Sequence, residues 1–256
     1  MMKLAQHAGA VWKRLRRVES SVLLAFMAVA VFGLVFLRVA SEMAEGDTMS
    51  ADRFVIRALR DPADPALSLG PQWLRSAMID FTALGGPPVL TLLTVFAVGY
   101  LLAVRRAATA VFVAVSVTGG AVLGILLKSL FVRPRPEIVP HLVDVQSASF
   151  PSGHALNSAI VYLTLGALLA RTQSSRRVKA YLLGAAILLT LIVGSSRVYL
   201  GVHWPSDVVA GWCVGAAWAA LCALLARYLQ RRRTLEQPTT DEPDPDTTKQ
   251  TITQTD

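Results

Sequence analysis

Charge is scarce in this chain. Asp, Glu, Lys and Arg make up only 16% of its 256 residues, and 54% are hydrophobic, whereas a soluble domain carries about a quarter charged residues. Cysteine is scarcer still. Cys213 and Cys222 lie in one apolar run, without the spacing of a disulfide framework or a metal site, and read as helix-packing residues. No internal repeat relates the apolar runs, and no Gly-rich phosphate loop of the nucleotide-binding kind occurs. These two absences speak against a duplicated transporter and an ATPase. The sequence shows no cluster of acids that would converge into a two-metal centre either.

What the chain does have is apolar length. Six runs, near Ser21–Ala40, Pro88–Val104, Ala107–Leu127, Ala155–Ala170, Val178–Gly194 and Asp207–Leu229, approach or reach the roughly 17 to 25 residues that cross a hydrocarbon core about 30 Å thick. The first follows the basic cluster Lys13, Arg14, Arg16 and Arg17, as a signal peptide would, but its length favours a retained helix.

The formal charge of +8 is a topology signal before it is a binding signal. With the N-terminus in the cytoplasm, fifteen basic residues and one acid, Glu19, fall inside ahead of the tail, against nine basic residues and ten acids outside. That asymmetry follows the positive-inside rule, puts both termini in the cytoplasm and leaves little to support a nucleic-acid partner. The expected localisation is an integral membrane protein of a bacterial inner membrane.

Residues 41–87 make the longest outer loop. Within it, Phe54, Val55, Ile56 and Leu59, then Trp73, Leu74, Met78, Ile79 and Phe81, show the spacing of short interfacial helices, a structural lid over the bundle. Gly85-Gly86-Pro87-Pro88 breaks the chain before the second span. From Thr234 to Asp256 the chain is rich in Thr, Asp, Gln and Pro, too polar to bury a core, and is expected to be a disordered cytoplasmic tail. The expected division is an N-terminus over 1–20, a membrane domain over 21–233 and that tail over 234–256.

Three polar clusters meet the outer face. The first holds Lys128, Arg133 and Arg135; the second is Phe150-Pro151-Ser152-Gly153-His154; the third runs from Ser196-Arg197 to His203-Trp204-Pro205-Ser206-Asp207. One cation at a span end is usually a snorkelling anchor. Several cations set against the charge bias of the topology, beside two histidines, suit a phosphoryl group, which Arg meets with a planar fork and Lys as a point charge. Ser152 stands where it can cap the fourth span, leaving backbone N–H groups outward, and Gly153 would let a phosphate oxygen approach the backbone. His203 and Asp207, four residues apart, would stack on one helical turn, the carboxylate holding Nδ1–H and freeing Nε2. Asp207 would alternatively be only a favourable charge at a helix N-terminus. His141 reads as a solvated loop residue, and His7 has no role.

Lys128-(six residues)-Arg135-Pro136, Pro151-Ser152-Gly153-His154 and Ser196-Arg197-(five residues)-His203-(three residues)-Asp207 together resemble the three-part signature of the type 2 phosphatidic acid phosphatase family, whose site is shared with vanadium haloperoxidases. The resemblance covers roughly residues 85–230. It implies an all-α fold, a polytopic bundle of six transmembrane helices. It also implies that His203 is the nucleophile, oriented by Asp207, and that His154 is the acid for the leaving oxygen. Lys128, Arg135, Ser152, Gly153 and Arg197 would hold the phosphoryl oxygens, with no metal or other cofactor; Arg133, in a second Arg-Pro pair, is an accessory candidate. The implied substrate is a lipid phosphate presented from the bilayer: phosphatidic acid, phosphatidylglycerol phosphate or, by slight preference, a polyprenyl diphosphate. A lipid phosphotransferase would use the same residues. So would a vanadate-dependent haloperoxidase, although six spans speak against that soluble relative.

Overall fold

The structure, a computed structural model, describes residues 2–145, 147–232 and 234–236, with side chains from Val22 onward. Eight helices are described: α1 (Met2–Glu45), α2 (Met49–Ala58), α3 (Gln72–Ala83), α4 (Pro87–Ala103), α5 (Ala107–Leu130), α6 (Gly153–Thr172), α7 (Arg176–Tyr199) and α8 (Pro205–Arg231). The fold is all-α, with no strand among the described residues. The tail assignment for 237–256 and the side chains of the N-terminal basic cluster lie outside the described residues.

Five of these helices are long and apolar enough to cross a membrane. A sixth crossing requires α3 and α4 to be taken as one broken span, bent by 49°. The second apolar run thus differs from expectation: α4 has 17 residues and rises only about 26 Å alone. The break follows from the sequence, because Gly86 is extended and Pro87 and Pro88 occupy the first turn of α4, where proline needs no backbone donor. At the other end of α5, Pro134 and Pro136 keep the chain from resuming a helix until Gly153.

The bundle is apolar outside and small inside, the arrangement that lipid rather than water favours. Leu24, Phe26 and Leu34 of α1, Phe96 of α4 and Ile125 of α5 point outward, whereas Ala155, Ala159, Ala210 and Val214 are buried. α8 packs on α1 and α6, and α6 also on α7. Phe36 of α1 stacks on Phe150, with ring centroids 6.1 Å apart, and Phe131 meets Phe150 edge-on at 5.2 Å. These rings fasten α1 to the segment between α5 and α6.

Helices α2 and α3 fall where the spacing of apolar residues placed them. α3 lies against α7, and its end is held by the Tyr162 hydroxyl, which donates to the carbonyl of Leu84 at 2.7 Å. Because α5, α6, α7 and α8 alternate in direction, the C-terminal turns of α5 and α7 and the N-terminal turns of α6 and α8 share one end of the bundle.

Candidate active site

Close approach of α6 and α8 builds the floor of this end. A Cβ on Gly211 would lie 2.6 Å from the carbonyl oxygen of Ser152, and one on Gly215 would lie 2.6 Å from that of Leu156. The two helices therefore meet on small residues, and the Ser152 N–H donates to the carbonyl of Asp207 at 2.9 Å. The second and third sequence clusters are joined backbone to backbone.

At the start of α8, Trp204 is extended, Pro205 opens the helix, and the Asp207 carboxylate accepts the Trp204 N–H at 2.9 Å. His203 thus sits before the helix, and a capping turn brings it to Asp207 in place of the expected stacking along one helical face. Both are buried, with His203 1% exposed and Asp207 0%. Nδ1 of His203 lies 3.4 Å from Oδ2 of Asp207, and Nε2 lies 3.2 Å from Nη1 of Arg135. A guanidinium only donates, so Nε2 is the acceptor and the ring proton belongs on Nδ1. Burial pushes the His203 imidazolium down to about 3, against the hydrogen bond and charge of Asp207, which raise it. The ring is neutral, with its lone pair on the nitrogen that faces the cations.

Three of the predicted phosphate-holding cations converge without a carboxylate partner among the described residues. Lys128 Nζ donates to the carbonyl of Ala148 at 2.6 Å and to Ser147 Oγ at 3.3 Å. Arg135 donates through Nε to the carbonyl of Ser147 at 2.8 Å and through Nη1 to that of Val202 at 2.5 Å; burial lowers its pKa, opposed by the Asp207 charge. Arg197 donates to Thr82 Oγ1 at 3.0 Å, and its Nε is buried without a partner among the described residues. Ser152 occupies the N-cap position of α6 as expected, yet its hydroxyl makes no capping bond and is also buried without a partner among the described residues. Gly153 lies beside Lys128, whose Cε is 3.5 Å from where a Gly153 Cβ would stand. His154 is half-buried on the first turn of α6, with its Cβ and Cδ2 each 3.4 Å from where a Gly85 Cβ would stand.

Arg133 faces away from this cluster. Nη1 donates to Asp207 Oδ1 at 2.6 Å and to Ser206 Oγ at 2.7 Å, and Nη2 to Asp52 Oδ2 at 2.8 Å. Its guanidinium lies 5.5 Å from the centroid of the Trp204 ring. His141 is exposed, with Nε2 2.7 Å from the carbonyl of Pro136, and stays in its loop.

Three residues of this network had no role assigned from the sequence. Ser149 Oγ donates to Asp207 Oδ2 at 2.5 Å and lies 3.4 Å from His203 Nδ1. Asp52, 2% exposed, accepts from the backbone N–H of Ser206 at 2.9 Å and from its hydroxyl at 2.5 Å. Ser206 is the third. An acid in a helix with otherwise apolar inward positions was the one signal available for Asp52.

The fold and this arrangement, together with known proteins, define an integral membrane enzyme of the phosphatase class. Residues 107–231 match the PAP2 superfamily. The chain is 31% identical over 185 residues to phosphatidylglycerophosphatase B of Bacillus subtilis, spanning 71% of this chain and 86% of that protein. It is 40% identical over 86 residues to an undecaprenyl-diphosphatase of Sulfolobus acidocaldarius, covering 34% of this chain and 36% of that one. The crystal structure of a transmembrane PAP2-type phosphatidylglycerolphosphate phosphatase from Bacillus subtilis superposes with a TM-score of 0.69 at 27% identity, over 79% of this chain and 98% of that one. The chain belongs to the PAP2 superfamily.

Proposed function

We propose that the chain hydrolyses the phosphate of a membrane lipid, a phosphomonoester or diphosphate, through a phosphohistidine on His203. The observation that carries this reading is the trio Lys128, Arg135 and Arg197, held by carbonyls and hydroxyls rather than by carboxylates. A phosphoryl group supplies the negative charge that the trio is missing, and such a site acts chiefly by positioning and charge stabilisation.

In the proposed reaction Nε2 of His203 attacks phosphorus in line as the bond to the lipid oxygen breaks. The electron pair leaves with that oxygen, which takes a proton from His154. Asp207 holds the Nδ1 proton and stabilises the ring while it carries phosphate. A water then gives its proton to His154 and attacks phosphorus, releasing inorganic phosphate and restoring both rings. Lys128, Arg135, Arg197, the Ser152 hydroxyl and the Gly153 backbone hold the nonbridging oxygens.

A lipid is favoured as substrate by an apolar cleft of about 580 Å³ between α4, α5 and α6. It is lined by Asn157, one turn beyond His154, and by Leu90, Val98, Val117 and Ile160. A hydrocarbon chain lying there would keep its headgroup at the histidines. The far end of the bundle carries Arg105, Arg106, Arg171, Arg176 and Arg177, which by the positive-inside rule favours a site on the non-cytoplasmic face.

The test is phosphate release by purified protein, with EDTA present, from phosphatidic acid, phosphatidylglycerol phosphate, undecaprenyl diphosphate and lipid A. Release from at least one lipid, lost in His203→Ala and in His154→Ala, is expected. Release that chelation stops and a divalent ion restores would overturn the metal-free mechanism.

A further inference from the structure

Asp207 divides its two oxygens between two tasks. Among the described residues Oδ1 accepts only from Arg133, at 2.6 Å, while Oδ2 receives Ser149 Oγ and the Trp204 N–H and faces Nδ1 of His203. Arg133 is a planar fork, and a fork beside a lone carboxylate binds both oxygens at once. Here it does not, because its second nitrogen is drawn the other way, to Asp52 at 2.8 Å and Thr48 Oγ1 at 3.3 Å. Asp52 belongs to α2, outside the helices that carry the motif residues. It is itself fixed by the N–H and hydroxyl of Ser206, on the first turn of α8.

We propose that Asp52 is a positioning residue of the His203–Asp207 pair: by holding one arm of Arg133, it keeps the guanidinium from clamping both oxygens of Asp207 and leaves Oδ2 to the imidazole. The inference rests on the phosphohistidine reading above. It gives the outer segment a function besides covering the bundle, because α2 then reaches the nucleophile through a chain of two ion pairs, each buried on both sides. Neutralising Asp52 lets Arg133 rotate onto Oδ2, so His203 loses the acceptor that stabilises it while phosphorylated. Substrate contacts stay as they are, since neither Asp52 nor Arg133 touches the Lys128–Arg135–Arg197 cluster.

The experiment uses the full-length protein in detergent and whichever of phosphatidylglycerol phosphate and undecaprenyl diphosphate is turned over faster. Asp52→Asn, close in size and still able to accept from the Ser206 N–H, is expected to lower kcat about tenfold or more with KM within about twofold. Asp52→Glu, which keeps the charge, is expected to recover part of that kcat. The double variant Asp52→Asn with Arg133→Gln removes the clamp as well, and its kcat is expected to exceed that of Asp52→Asn alone. Residues in contact do not act independently, so a merely structural Asp52 is told apart by its readout: thermal stability would fall while kcat per folded molecule stayed at the wild-type value. A kcat for Asp52→Asn equal to wild type, or a double variant slower than the single, overturns the inference. His203→Ala is run in parallel: if it stays active, the phosphohistidine reading fails, whereas an inactive His203→Ala beside a fully active Asp52→Asn defeats this inference alone.

Discussion

Nη1 of Arg135 lies 3.2 Å from Nε2 of His203, so the guanidinium meets the lone pair of the nitrogen that the proposed reaction uses as its nucleophile. Arg135 holds that position through the carbonyls of Ser147 and Val202, and Val202 is the residue directly before the histidine. A phosphoryl oxygen entering between Arg135 and Lys128 would therefore bring its phosphorus towards Nε2.

Arg135→Lys tests the fork. Lysine keeps the charge but cannot donate to both carbonyls and the substrate in one plane. We expect kcat/KM to fall by about 10² or more, with thermal stability nearly unchanged. A loss below about threefold, measured by phosphate release, would show that charge alone suffices.

Ser149 offers the opposite outcome. Its hydroxyl takes up Asp207 Oδ2 at 2.5 Å, yet that oxygen retains the Trp204 N–H, and Oδ1 retains Arg133. Ser149→Ala is expected to cost about 1.5–3 kcal/mol of stability, the range for a buried bond to a charged group. It is also expected to leave kcat within about tenfold of wild type, because the carboxylate remains held and its contact with His203 can shorten. Chemical denaturation beside a steady-state assay separates the two effects.

The pH dependence follows from the burial of His203, which sets its imidazolium at about 3 against about 6.5 for a free imidazole. Protonation at Nε2 would remove the lone pair, so a neutral ring keeps the nucleophile available as the solution is acidified. Phosphoryl transfer to the protein is expected to hold level or rise between about pH 7 and pH 5. Stability moves the other way. The unfolded chain takes up this proton near its ordinary value and the folded chain only near the depressed one, so folding free energy is lost as pH falls from about 6.5 towards about 3. A transfer rate that drops with an apparent pKa near 6.5 in still-folded protein would contradict a buried, neutral His203.

The residues at helix ends were legible because their spacing is local. Lys128 and Arg135, Ser152 to His154, and His203 with Asp207 each lie within one turn or one short loop of a span, and charge bias alone placed all three clusters at one end. The short helices α2 and α3 were legible for the same reason, since apolar periodicity needs no distant partner. Asp52 was not legible. It was one of ten acids that the charge count assigns to one face, and its partner Ser206 is 154 positions away. Arg133 and Arg135 could be told apart only by spacing, and the structure adds the physical difference: one neutralises carboxylates, the other faces the histidine. The Ser152 cap was a correct position with a different use, because the spacing could not reveal that its hydroxyl is left unpaired. The bend between α3 and α4 was marked by Gly85-Gly86-Pro87-Pro88, but whether two such pieces count as one crossing depends on packing against α7, which the local sequence does not encode.

The covalent step on His203 can be trapped. Purified protein is mixed with lipid substrate labelled in the scissile phosphate, quenched within a turnover at alkaline pH, digested and mapped. An acid-labile phosphoryl group is expected on the peptide carrying His203 and is expected to be absent from His203→Ala. Full turnover by His203→Ala, or label on another residue with His203 unmodified, would contradict it.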